Sequence, residues 1–169
     1  MQILTFTVGG QACAIPSRTV LEVLPLVPAR PIPLLPPYVP GVFTYRGHLV
    51  PLVDLARRFE TPSARATAIR RLSTRVIVVE CALPTTHGPD QPAAPSERPV
   101  RLGLIADDVV SVQTAADDKP LSAALGGQAP FLGRLLRLDG STVQMVVVDH
   151  LLPHDLLTGL VAAAGAPGP

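Results

Sequence analysis

The residues able to do chemistry are few, and their spacing argues against most of the chemistry they could do. There are four histidines, His48, His87, His150 and His154. His150 and His154 have the i, i+4 spacing that places two metal ligands on one helical face, but Pro153 lies between them and no HExxH glutamate or neighbouring cysteine completes a set. Serine nucleophiles need a base and an oxyanion donor in place. No GxSxG elbow occurs, and Ser141 simply follows the turn pair Asp139-Gly140. Asp107-Asp108 and Asp117-Asp118 could serve as acid and base, yet adjacent strand residues point to opposite faces, so neither pair converges. No glycine pair is followed by a P-loop lysine. The chain therefore reads as a non-enzyme, with no catalytic residue, metal site or cofactor expected.

Two charges stand out by their settings. Glu22 lies in Val20-Leu21-Glu22-Val23-Leu24 and Arg46 follows Val42-Phe43-Thr44-Tyr45. A lone buried charge is costly, so either the two pair with one another or each points outward from its strand. Arg57, Arg58, Arg65, Arg70, Arg71 and Arg75 form a basic run, but a single aromatic, Phe59, lies among them, not the series of stacking residues a nucleic-acid groove would require. The run reads as solvated loop or as a patch for an acidic protein partner.

Elements must hold these residues, and the composition limits which ones. In 169 residues (17.7 kDa) there are 20 Pro and 13 Gly, a density that disfavours a helical bundle. The hydrophobic fraction of 47% supports a real core, and a formal net charge of +1 argues against a broad basic field for nucleic acid. Cys13 and Cys81 sit in apolar runs as small hydrophobes, which favours a reduced, cytosolic setting. The first residues read as a strand and not a signal peptide. The apolar stretch from Leu156 is short of the roughly 20 residues of a membrane span.

Strands are predicted over Ile3–Val8, Gln11–Ile15, Gly41–Tyr45, Leu49–Leu55, Val76–Leu83, Val100–Ala106, Val109–Thr114, Leu132–Leu138 and Thr142–Val148. Val23–Val27 is expected to be extended. Ser17 should cap a short helical turn, and His154–Ala164 should form a terminal helix. Gly9-Gly10, Arg46-Gly47 and Asp139-Gly140 mark tight turns. Residues 84–99, with five prolines, are expected to form a mobile loop. The halves resemble each other. Ala14-Ile15, Val20 and Val23 align with Gly103-Leu104, Val109 and Val112 at an offset of 89, Gly41 with Gly133 at 92, and Val53-Asp54 with Val148-Asp149 at 95. Five strands per half suggest a small closed barrel in each.

Tyr38-Val39-Pro40-Gly41-Val42, Tyr45-Arg46-Gly47 and Val50-Pro51-Leu52-Val53-Asp54-Leu55 together resemble the signature of the CheW-like chemotaxis coupling proteins. Val20-Leu21-Glu22-Val23, Leu102-Gly103-Leu104-Ile105-Ala106-Asp107 and Val146-Val147-Val148-Asp149 fit the same family, so the resemblance runs from about Ile3 to Leu157. It implies an all-β fold of two pseudo-symmetric five-stranded SH3-like barrels, taken as residues 1–70 and 71–152, with a helix or tail over 153–169. It implies a cytoplasmic, non-catalytic adaptor joining the tips of methyl-accepting chemoreceptors to a CheA-type histidine kinase, without membrane insertion or nucleic acid. By position it assigns Val20, Glu22, Gly41, Val42 and Arg46 to the receptor-facing groove, with Glu22 as the partner of Arg46. Charged substitutions at Val20 or Val42 are expected to abolish receptor binding and leave the fold intact.

The chain departs from the family in Thr44-Tyr45, where a polar-aliphatic pair is common, and in the length of the 84–99 loop. Arg71-Leu72-Ser73-Thr74-Arg75 with Gly126-Gly127-Gln128-Ala129-Pro130 is similar to the Wsp-type surface-sensing branch, whose output is cyclic di-GMP. The alternative reading is an SH3-like module binding nucleic acid or peptide in an unrelated system.

Overall fold

The computed structural model describes residues 1–60, 72–82, 99–115 and 129–165. Residues 84–98 of the expected loop, Arg65, Arg70 and Arg71 of the basic run, His87 and Asp117-Asp118 lie outside the described residues. Nine strands are described: β1 (Gln2–Val8), β2 (Gln11–Pro16), β3 (Val20–Pro25), β4 (Gly41–Tyr45), β5 (His48–Asp54), β6 (Arg75–Cys81), β7 (Val100–Thr114), β8 (Leu132–Leu138) and β9 (Ser141–Val146). Two short helical pieces, α1 (Leu55–Arg58) and α2 (His154–Gly165), complete the fold with 3-10 turns at Ser17–Thr19 and Val148–His150. The three hairpin turns fall where the dipeptides place them. Both central residues have positive φ in each: Gly9-Gly10 at 56° and 81°, Arg46-Gly47 at 48° and 79°, and Asp139-Gly140 at 48° and 81°. This twist matches that of the flanking strands.

Two local expectations need correction. Ser17 does not cap its turn, which begins at Pro16 without a side-chain cap. The two strands expected over 100–106 and 109–114 are one continuous strand, β7. Asp107-Asp108 is its bend, with Asp108 at φ 47°. Thr74 Oγ1 donates to Asp107 at 2.5 Å and Thr7 Oγ1 to Asp108 at 3.1 Å. These aspartates therefore hold a kink, an ordinary role for a short acceptor side chain in a left-handed conformation.

That kink carries β7 from one sheet into another. Its first half pairs with β6 and, in parallel, with β5, while β6 also pairs with β3 and β5 with β4. Its second half pairs with β1, which continues through β2 and β9 to β8. The expected division at residue 70 is thus not the division of the sheets. Each five-stranded unit takes the first hairpin of one sequence half and the remaining strands of the other half.

The internal repeat is visible in the registers, but over the second hairpin its offset is 93 (145 − 52 and 147 − 54) and not the 92 and 95 read along the sequence. Leu4 faces Ile15 and Val112, and its counterpart Ile77 faces Leu104 and Val23. The parallel contacts Leu52–Gly103 and Met145–Ala14 are likewise equivalent. Asp54 N donates to Tyr38 O and Val147 N to Phe131 O, both at 2.8 Å. The exchange follows from this likeness: the two halves carry matching strand edges, so a hairpin can complete either unit, and β7 is long enough to serve both.

Strand alternation then sorts the side chains into three cores. Val50, Leu52, Val76, Val78 and Ile105 fill the first unit with Phe43 and Tyr45. Ile3, Ala14, Leu136, Val143 and Met145 fill the second. The opposite faces of the same strands, including Phe6, Ile15, Val53, Ile77, Val79, Leu102 and Leu104, form the largest core, between the units. Burial on both faces explains why Val76–Val79 reads as an unbroken apolar run. Leu157 and Leu160 of α2 close this shared core. Gly103 has no room for a side chain, since a Cβ would lie 2.6 Å from the Phe43 ring.

The first unit is drawn into a ring by the proline-rich segment after β3. Arg30 and Val42 exchange both backbone hydrogen bonds, at 2.8 and 3.0 Å. A Cβ on Gly41 would overlap the Arg30 carbonyl, so this closure requires glycine there.

Candidate functional site

Strand β3 carries apolar residues on both of its faces. Its half-buried positions are Val20, Glu22 and Leu24, while Leu21 and Val23 are 40% and 39% exposed. The two outward apolar residues flank Glu22, whose side chain is itself part-exposed. Leu49, at the nearby hairpin, is 39% exposed as well. On the repeat-equivalent strand segment, Val110 and Val112 are 47% and 50% exposed.

Glu22 meets the β4–β5 hairpin at its end. Tyr45 Oη donates to Glu22 Oε2 at 2.6 Å, and Arg46 Nη2 donates to the same oxygen at 3.4 Å. The carboxylate and the guanidinium do come together, as the sequence context allowed. The contact is a single long one and not a planar fork, and the side chains are 40% and 70% exposed. An ion pair so exposed is worth ~0.2–1 kcal/mol, well below the cost of breaking a buried pair. The stronger partner of Glu22 is Tyr45, which reasoning from charge alone passed over. Its signal was available: Tyr45 alternates with Phe43 on the inner face of β4, and a buried phenol needs a partner for its hydroxyl. The hydrogen bond to Glu22, with burial, raises the Tyr45 phenol above its ordinary value of 10.0. Arg46 and Arg101 lie 5.3 and 5.9 Å from the Tyr45 ring centroid.

The five residues assigned to the groove divide into two groups. Val20 packs against the shared core, and Glu22 and Arg46 form the edge just described. Gly41 and Val42 are enclosed, Val42 at 4% exposure, because the Arg30 segment bridges over them. They offer little surface to a partner, so a charge at Val42 would damage the fold, contrary to the expectation that it would be tolerated. Arg46 adopts φ 48° at the hairpin position that Gly9 and Asp139 occupy elsewhere. A long side chain in the left-handed region is held there at a cost, which is a feature of functional sites.

Arg58, grouped above with a solvated basic run, has a different place. Its Nε donates to the Leu151 carbonyl at 2.7 Å. Its guanidinium lies 4.7 Å from the Tyr38 ring centroid and 4.2 Å from that of Phe131, which stacks on Phe59 at 5.3 Å. Tyr38 and Phe131 are repeat equivalents, so one arginine joins both halves. Arg57 beside it makes only a long contact to Asp54, at 3.7 Å.

Other candidate groups do not converge. His150 lies in a 3-10 turn and His154 begins α2, so their i, i+4 spacing is not on one helix. No group of three His, Cys, Asp or Glu among the described residues could hold a metal ion. Cys13 and Cys81 are buried free thiols, each pushed up to about 12 by burial. No helix among the described residues is long and apolar enough to cross a membrane.

Comparison with known proteins agrees with this geometry. Residues 2–156 match the CheW-like domain family. The chain is 27% identical over 157 residues to a chemotaxis protein CheW of Rhizobium meliloti, covering 91% of this chain and 88% of that one. It is 35% identical over 71 residues to protein FrzA of Myxococcus xanthus, 42% of this chain and 44% of that one. The crystal structure of the scaffolding protein TtCheW from Thermoanaerobacter tengcongensis superposes with a TM-score of 0.67 at 21% identity, covering 89% of this chain and 86% of that one. With its paired five-stranded units, its repeat and a family match over nearly its whole length, the chain belongs to the CheW-like domain family, the coupling scaffolds of chemosensory systems.

Proposed function

We propose that this protein is a cytoplasmic adaptor that joins a chemoreceptor tip to a CheA-type histidine kinase and performs no catalysis of its own. The observation that carries the reading is the outer face of β3, with Leu21 and Val23 exposed beside the Glu22–Tyr45–Arg46 cluster. A receptor helix would lay its apolar side on Leu21 and Val23, with the charges setting its register. Val20, Gly41 and Val42 support this edge from behind. The kinase's regulatory domain would meet other strand edges of the two units. The resemblance of Arg71–Arg75 and of residues 126–130 to Wsp-type couplers supports a surface-sensing system with cyclic di-GMP as its output.

Co-sedimentation with a receptor-tip fragment and, separately, with the kinase regulatory domain tests the reading. Val23→Asp should abolish receptor binding and leave kinase binding intact. Retention of receptor binding would move the receptor surface elsewhere. The branch is tested by deleting the gene and measuring cyclic di-GMP and swimming. An altered swimming phenotype with unchanged cyclic di-GMP would overturn the surface-sensing assignment.

A further inference from the structure

Glu22 Oε2 is shared by two donors of unequal quality. The Tyr45 hydroxyl reaches it at 2.6 Å from a ring packed in the first unit's core against Phe43, 6.4 Å between centroids. The Arg46 guanidinium reaches it at 3.4 Å from a side chain 70% exposed. A short bond from a rigid donor defines where a carboxylate sits; a long one from a mobile cation does not.

We propose that Tyr45 is the positioning residue of the partner-binding edge: its hydroxyl fixes the Glu22 carboxylate against β3, and Arg46 is a secondary, releasable contact of that carboxylate. This deepens the receptor-binding role proposed above and rests on it for its binding consequence only. Tyr45 has the rigidity the task needs, since it is 5% exposed and packs with Phe43 in the first unit's core. Its hydroxyl and ring meet Glu22, Arg46 and Arg101, and the carboxylate's hydrogen bond together with burial keeps the proton on the phenol against the two cations. When a partner draws Arg46 away, Glu22 keeps its place and β3 keeps its outline.

Two measurements test the assignment. The chain has two Tyr and no Trp, so phenol ionisation is readable by ultraviolet absorbance. In the intact protein one tyrosine should ionise above the ordinary range. Glu22→Gln should bring it down, and Arg46→Gln, which removes a cation that favours the phenolate, should move it further up. Identical titrations of the intact protein and Glu22→Gln would overturn the hydrogen bond and the proposal with it.

The second measurement is receptor-tip affinity in two double-mutant cycles, with thermal midpoints recorded for every variant. Tyr45→Phe keeps the ring and its packing. It should weaken binding roughly tenfold, the scale of one charge-assisted hydrogen bond. Adding Tyr45→Phe to Glu22→Gln should produce no further loss. The Tyr45–Glu22 coupling should exceed the Arg46–Glu22 coupling. Equal or reversed couplings would make Arg46 the positioning residue. A lowered thermal midpoint with unchanged affinity would make Tyr45 structural only. Absence of receptor binding by the intact protein would count against the receptor-binding role, while the titration would still decide whether Tyr45 holds Glu22.

Discussion

Two adjacent arginines of the basic run should behave very differently when replaced. Arg58→Met keeps the aliphatic stem and removes the guanidinium. Three interactions go with it: the hydrogen bond to the Leu151 carbonyl at 2.7 Å and the stacking over Tyr38 and Phe131. A hydrogen bond from a charged donor contributes about 1.5–3 kcal/mol, and the low end applies to a half-buried group. Each ring contact adds about 0.5–1 kcal/mol. The expected loss is therefore about 2–4 kcal/mol. For a domain of this size that corresponds to a fall of roughly 5–10 °C in the thermal midpoint. Arg57→Met removes only the long contact to Asp54 and should cost no more than about 0.5 kcal/mol. Arg58→Lys should recover only part of the loss, because an ammonium has no plane to lay between two rings. Urea denaturation and calorimetry of the three variants would read these differences directly. Equal midpoints for Arg58→Met and Arg57→Met would refute the idea that one arginine ties the halves together.

Gly41→Ala should lower stability by roughly 2–4 kcal/mol, as a Cβ overlapping the Arg30 backbone forces the closing bridge apart; an unchanged denaturation midpoint would contradict this. Val42→Asp should compromise folding, whereas Leu21→Asp should leave circular dichroism and the thermal midpoint nearly unchanged, since one residue is enclosed and the other exposed. Cys13 and Cys81 should resist Ellman's reagent at pH 8 until the protein is unfolded, because both thiols are raised from 9.0 to about 12. The pH dependence follows the same sign. The folded state holds these protons more tightly than the unfolded chain, so their contribution is intact below about pH 9 and is lost as pH rises toward 12. Denaturation midpoints that are flat across that interval in both Cys→Ala variants and the intact protein would contradict it.

Local chemistry was enough to locate most of the strands, the three hairpin turns and the terminal helix, although it began β3 three residues late and split β7 in two. Gly9-Gly10, Arg46-Gly47 and Asp139-Gly140 specify tight reversals through their own backbone preferences, and alternation or continuous apolarity needs only a neighbouring face. The repeat was legible for the same reason, since each half carries its own copy of these signals. The family signature around Gly41–Leu55 supplied the coupling role, while the apolar settings of Glu22 and Arg46 had already marked them as a possible pair.

Tertiary structure decided which strands share a sheet. Strand edges recognise one another through backbone groups common to every residue, so two similar halves contain nothing local that says whether β1 and β2 join their own half or the other. The Asp107-Asp108 bend settles it by passing β7 through both units. Tertiary structure also decided what touches Glu22, what covers Val42 and where Arg58 goes. Those outcomes depend on the Arg30 segment crossing β4, on Tyr45 turning inward, and on two aromatic rings from different halves meeting at one arginine. None of these contacts is between neighbours in sequence, which is why a pattern read along the chain could name the residues of this edge and yet not tell which ones are exposed and which enclosed.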